Sequence, residues 1–177
     1  MTVHIPMRSA DKPSDSFDIR IVQWSFLRRL MNDRQRLLYD YWLAGSADGS
    51  FFDLSGFDPL EVWNCVGYLH ILQYDRARDD LYYRLSGDIS AKAMARTLHK
   101  RWVKDHPAPA RDRFRAHYFE VMESGRPWLG EVYAMDSPKI APYWNRMVLP
   151  LFDPEDPDGF VCLALAEPQT SLPHSTN

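Results

Sequence analysis

Three apolar, β-rich runs close the chain: "PWLGEVYAM" (127–135), "YWNRMVLPLF" (143–152) and "GFVCLALAE" (159–167). They are joined by "DSPK" and the acidic "DPEDPDG", loops far too short to carry a helical crossover. Consecutive strands on such loops pair antiparallel, because a parallel return needs a dozen or more residues. Earlier, "VGYLHILQY" (66–74) and "LYYRLS" (81–86) flank the turn-rich "DRARDD" and read as a hairpin. Between the two groups the period is helical. Ile89, Met94, Leu98 and Trp102 are spaced for one weak face, "DHPAP" breaks it, and residues 110–124 form a stronger helix. In that helix Phe114, Tyr118, Val121 and Met122 share a stripe, and Gly125 with Pro127 stops it.

Ahead of the hairpin the pattern is also helical. Ile19, Val22, Phe26, Leu27 and Leu30 fall on one stripe. Asn32 or Asp33 caps a second helix, with Leu37, Leu38, Tyr41 and Trp42 on its apolar side and Gly45 at its end. Asp58 followed by Pro59 predicts a third, short helix in "DPLEVWN". The expected class is therefore α+β. A tail (1–15) precedes a helical segment (16–57), the sheet-bearing domain (58–167) and a second tail (168–177).

Composition bounds the role. Of 177 residues, 45% are hydrophobic and 25% charged, which supports one sizeable core. A formal charge of -3 gives no global pull toward nucleic acid or anionic membranes. The longest apolar runs are too short to span a bilayer, and residues 1–16 lack the apolar core of a secretion signal. With Cys65 and Cys162 alone, a disulfide framework is not expected, and a cytoplasmic home is the simplest.

Four motifs occur in order: "LLYDYWL", "FDPLEV", "YYRLSG" and "NRMVLPL". Together they resemble a bacterial PAS-like family across residues 35–167. The resemblance implies a five-stranded antiparallel sheet with helices inserted between the second and third strands and N-terminal helices packed on the sheet. Its strand order would be second, first, fifth, fourth, third. It also implies a stand-alone sensory or regulatory domain of bacterial signalling, not an enzyme, that binds a small molecule or a protein partner. The stretch "DISAKAMARTLHKRW" departs from the family, having none of the glycines usual there.

Alternation and helix stripes give the pocket expected on such a scaffold: Tyr83, Leu85, Met94, Leu98, Phe114, Tyr118, Val132, Met147 and Leu163. If large side chains fill that interior, the domain acts instead as a dimerisation or interaction module. The alternation places Arg84 and Arg146 on the outer face, where Arg84 snorkels to water or anchors a helix or partner, and it sets Glu131 across from Arg146. The stripe from Ile19 to Leu30 suggests a homodimer through N-terminal helices.

Other chemistry is thinly supported. "NC" at 64–65 looks like the flavin-binding motif of blue-light PAS domains, but it precedes the first strand, where a buried inert cysteine is the better reading. His99, His106 and His117 lie where haem-binding PAS proteins carry their ligand, and surface or partly satisfied histidines are the expectation here. "DPEDPDG" does not place its carboxylates as a calcium loop requires. The basic segment 96–117, with Lys100, Arg101, Lys104, Arg111, Arg113 and Arg115, offers an alternative as a nucleic-acid or anion binder, against which the acidic total weighs. No metal or cofactor is named by the sequence.

Overall fold

The computed structural model describes residues 17–24, 28–96, 98–135, 140–157 and 159–169. Its elements are β1 (Asp18–Gln23), α1 (Asp33–Gly45), β2 (Ser46–Ala47), β3 (Phe51–Asp53), β4 (Leu69–Asp75) and β5 (Asp80–Ser86). Then come α2 (Asp88–Ala93), α3 (Ala110–Ser124), β6 (Trp128–Met135), β7 (Tyr143–Phe152) and β8 (Val161–Gln169). The chain is α+β. Six strands lie in the order β1-β6-β7-β8-β4-β5, all neighbours antiparallel. A short β2–β3 ribbon joins this sheet through a parallel pairing of β3 with β7.

The sheet is thus larger than the five strands expected, because residues 18–23 are a strand and not a helix. The run "IRIV" is β-branched at three of four positions, which favours a pleated edge over a helical turn. Ile19 is buried while Leu30, in a single 3₁₀ turn (Arg28–Leu30), is 44% exposed. Phe26 and Leu27 lie outside the described residues, as do residues 136–139, expected as a turn, and residues 1–16 and 170–177, expected as tails. The homodimer expected through an N-terminal helix loses the helix on which it was to be built. At the other end, Pro168 and Gln169 belong to β8 and not to the tail.

α1 begins as its sequence dictates. Asn32 Oδ1 accepts from the Gln35 backbone N–H at 2.9 Å, and Gln35 Oε1 accepts from the Asn32 backbone N–H at 3.0 Å. This reciprocal box satisfies two donors that a helix start leaves open. Leu38 and Trp42 face the sheet and are buried, while Leu37 stays 37% exposed. The "DPLEVWN" stretch is not an α-helix. Asp58 accepts from Leu60 N–H at 2.8 Å in a local turn, and a 3₁₀ helix (Trp63–Tyr68) follows, so β4 starts three residues later than the alternation suggests. The weak 88–102 face is likewise only α2. The chain then turns back along β5, where Lys100 N–H and Tyr83 N–H exchange bonds with Tyr83 and Arg101 carbonyls and cover that sheet edge.

Both faces of the sheet are buried. Met147, Leu149, Leu151, Leu163 and Leu165 pack toward Leu38 and Trp42. Tyr83, Trp144, Val148, Cys162 and Ala164 pack toward α3, with Phe114, Tyr118 and Val121. Two covered faces give near-continuous apolar strands, and alternation then no longer says which face is which.

Arg84 sits at a bulge. Leu72 pairs with Tyr83 and Ile71 with Leu85, leaving Arg84 as the extra residue and turning Leu85 to the α1 face. Arg84 donates to Asp153 Oδ2 at 2.7 Å and to Gln73 Oε1 at 3.2 Å. Asp153 is buried, with its side chain 7% exposed against 40% for Arg84. The arginine anchors the loop after β7, not an N-terminal helix. Replacing Arg84 with Leu leaves a buried carboxylate short of its counter-charge. We expect a loss of about 1–2 kcal/mol, reduced because the guanidinium is partly solvated. Urea denaturation checks it, with a lower midpoint, an unchanged slope and an unchanged oligomeric state. An unmoved midpoint would return Arg84 to a mere solvated side chain.

Candidate functional site

Between the sheet and the α2–α3 side lies a cavity of about 40 Å³. The sheet supplies His70 from β4, Tyr83 from β5, Val132 and Ala134 from β6, Trp144 and Arg146 from β7, and Ala166 from β8. Met94 and Leu98 close one side, and Phe114 and Tyr118 come down from α3. Six of the nine residues expected from sequence therefore meet here: Tyr83, Met94, Leu98, Phe114, Tyr118 and Val132. Leu85, Met147 and Leu163 do not. Leu85 is turned away by the Arg84 bulge, and Met147 and Leu163 stand on the α1 face of their strands.

Arg146 is the residue that the sequence reading misplaced. The β6–β7 register sets Gly130 across from Arg146 and Glu131 across from Asn145, one step from the pairing expected. Glu131 instead accepts from the Tyr133 hydroxyl at 2.6 Å. Arg146 is 3% exposed and points to the α3 side, its guanidinium carbon 4.6 Å from the Tyr118 ring centre and 5.3 Å from that of Phe114. Among the described residues no carboxylate pairs with it, and its Nε has no hydrogen-bond partner. A charge in an otherwise apolar run, "YWNRMVLPLF", was the available signal; it was spent on the wrong face.

The other polar groups nearby are neutral. Burial, reinforced by the Arg146 charge, pushes His70 and His117 down to about 3. Burial lowers His106 to about 4, with Arg96 and Arg146 acting the same way and Asp105 opposing them. Burial raises the Tyr83 and Tyr118 phenols, so both stay protonated. Tyr83 Oη and His106 Nε2 lie 3.0 Å apart, and His70 Nδ1 lies 3.1 Å from Ser86 Oγ. Of the three histidines expected at the surface or partly satisfied, His99 is on the surface. Among the described residues, His106 is buried with Nε2 bonded to Tyr83 and Nδ1 unpartnered, and His117 is buried with Nε2 unpartnered.

No protein-family model matches the chain, and no curated protein or solved structure matches it either.

The geometry sorts the remaining candidates. A 40 Å³ space does not take a haem or a flavin, for which pockets of several hundred Å³ are usual. His106 and His117 are packed edge-on or tilted against the rings of Tyr83, Phe114 and Trp128, and His106 Nε2 is taken by the Tyr83 hydroxyl. Among the described residues no group of three or more His, Cys, Asp or Glu side chains is placed to hold a metal ion. Both cysteines are buried, and burial raises Cys65 to about 11 and Cys162 to about 12, which keeps them as thiols. In the basic segment, Arg113 pairs with Asp18, Arg115 with Asp79 and Arg111 with Asp112, so half of its six named cations already face a carboxylate. Among the described residues no helix is long and apolar enough to cross a membrane.

Proposed function

We propose that this chain is a PAS-like sensory or regulatory domain that binds a small molecule between its sheet and the α2–α3 side. The observation that carries the reading is a cavity walled by aromatic side chains and facing a buried arginine, Arg146, that no carboxylate among the described residues pairs with. Support comes also from topology. Strands β4 to β8, counted as first to fifth, lie in the order second, first, fifth, fourth, third, with α2 and α3 inserted after the second. The four sequence motifs that resemble the bacterial family fall on α1, the 57–62 turn, β5 and β7. Binding, not turnover, is the role we assign: the two hydroxyl–imidazole pairs of the site, Tyr83 with His106 and Ser86 with His70, are read as hydrogen bonds that hold the wall of the cavity. A ligand that repositions Phe114 and Tyr118 moves α3 against the sheet, which is the signal such a domain transmits.

The test is a thermal-shift panel of small molecules of three or four non-hydrogen atoms, neutral and charged, on wild type and on Ala166→Leu, which fills the cavity. At least one compound raises the melting temperature of wild type saturably, and the filled variant loses that response. Absence of any saturable response, or a response that survives Ala166→Leu, overturns small-molecule sensing at this site and leaves a domain acting through its surface.

A further inference from the structure

We propose that the natural occupant of this cavity is a small planar oxyanion, of the carboxylate, nitrate or bicarbonate class, held by the Arg146 guanidinium. The inference rests on the binding role just assigned and names its ligand class.

Four observations converge. The first is the unpaired charge: Arg146 is 3% exposed, and its Nε has no partner. An uncompensated buried cation is costly, and the two ring faces beside it return only part of that cost. The second is size. A cavity of about 40 Å³ has room for roughly three waters, and is several-fold smaller than an apolar cavity of about 150 Å³ that admits benzene. Three or four non-hydrogen atoms fit, which describes formate, nitrate, bicarbonate and acetate. The third is shape. The guanidinium is a rigid planar fork whose parallel donors match two oxygens of a planar anion. The fourth is the rest of the lining, where among the described residues no carboxylate is present to repel an anion and the protonated Tyr83 and Tyr118 hydroxyls remain hydrogen-bonding groups. In so buried a site, the attraction is screened less than at a surface.

Occupancy also couples to the helix. Arg146 now lies over Phe114 and Tyr118, one turn apart on α3. An anion that draws the guanidinium off those rings changes the packing of α3 directly.

The experiment uses the full chain in a chloride-free buffer near pH 7. Formate, acetate, nitrate and bicarbonate are titrated at constant ionic strength, with chloride, sulfate and the neutral formamide and urea as comparisons. Two readouts are followed: the melting temperature and the Nε–Hε NMR signal of Arg146. At least one planar oxyanion is expected to raise the melting temperature by several degrees, saturably, and to shift the Arg146 signal along the same curve. Arg146→Met, which removes the unpaired charge, abolishes both responses, and Arg146→Lys weakens binding at least tenfold because it lacks the fork. A saturable melting shift with an unmoved Arg146 signal overturns the assignment, and so does an undiminished response in Arg146→Met. Chloride acting as strongly as the planar anions overturns it too. Should Arg146→Met fail to fold, the wild-type signal decides alone. Saturable binding of formamide or urea with no oxyanion response sinks the oxyanion and leaves the sensing role standing; no binding by either class sinks both.

Discussion

Lowering the pH from 7 to about 4.5 is expected to unfold this protein, and three buried histidines set the slope. His70, His106 and His117 are each about 95% buried. Burial holds them at about 3, 4 and 3, against an ordinary 6.5. The sign follows from proton uptake. As pH falls below about 6.5 the unfolded chain binds three protons that the folded chain refuses, so stability is complete above that value and drains away below it. Each histidine contributes on the order of 1 kcal/mol per pH unit, and three together roughly 3–4 kcal/mol per unit between about pH 6 and pH 4. A domain near the lower end of ordinary stability, about 5–8 kcal/mol, exhausts most or all of that within two units. Arg146 faces His70 and His117 from β7, Arg96 and Asp105 lie near His106, and among these only Asp105 favours protonation. Asp18 and Asp112, whose pKa values their arginine partners lower, lose their charge only below this window. Urea midpoints measured at half-unit steps should fall with a slope near three protons, and His117→Phe, which keeps a ring against Trp128, should remove about one. A midpoint that stays level down to pH 4.5 would show that the three imidazoles are not held neutral.

What could be read from the chain and what could not divides along a physical line. The capping residues of α1, the stripe of α3, the left-handed Gly125 that ends it and the strand runs at 81–86, 128–135 and 143–152 are local signals, and the structure carries them at those places. Four cavity residues were legible for the same reason: Phe114 and Tyr118 lie on a helix stripe, and Tyr83 and Val132 on short alternating runs, whereas Met94 and Leu98 reach the cavity although the helix expected to carry them ends at Ala93. The failures at the cavity are non-local. Leu85 needed the bulge at Arg84, which depends on a partner strand. Met147 and Leu163 needed to be told which of two buried faces they join, and a strand covered on both sides has no polar face to give the answer. Residues 18–23 match a helix by spacing alone; pairing along β6 makes them a strand. Arg146 fell to a one-residue register error, which moves every side chain of a strand to the opposite face.

Replacing Trp42 with alanine should cost about 4–5 kcal/mol, the largest loss expected from any single substitution considered. Trp42 is 1% exposed and sits on the α1 side of the sheet, in the cluster that holds Leu149, Leu151 and Leu163. Truncating a buried tryptophan removes its packing and leaves a void that the neighbours fill only in part, worth about 3–5 kcal/mol. The indole also makes a bond. Its Nε1–H donates to the Pro150 carbonyl at 2.9 Å, inside the protein. The place is a gap in the sheet: β6 pairs with β7 as far as Val148, β3 takes up β7 again at Leu151, and residues 149 and 150 have no strand beside them on that side. Proline suits the gap, having no N–H to leave unpaired, and the indole serves the carbonyl that remains. Trp42→Phe separates the two contributions, since it retains most of the apolar volume and forfeits the bond, for about 1–3 kcal/mol. Leu37→Ala, on the same helix but 37% exposed, serves as the control and should fall well short of either. Chemical denaturation at pH 7, above the histidine window, orders the three. If Trp42→Ala cost no more than Leu37→Ala, α1 would not be packed on β7 through this ring, and the two-sided burial that decides which strand residues reach the cavity would fail with it.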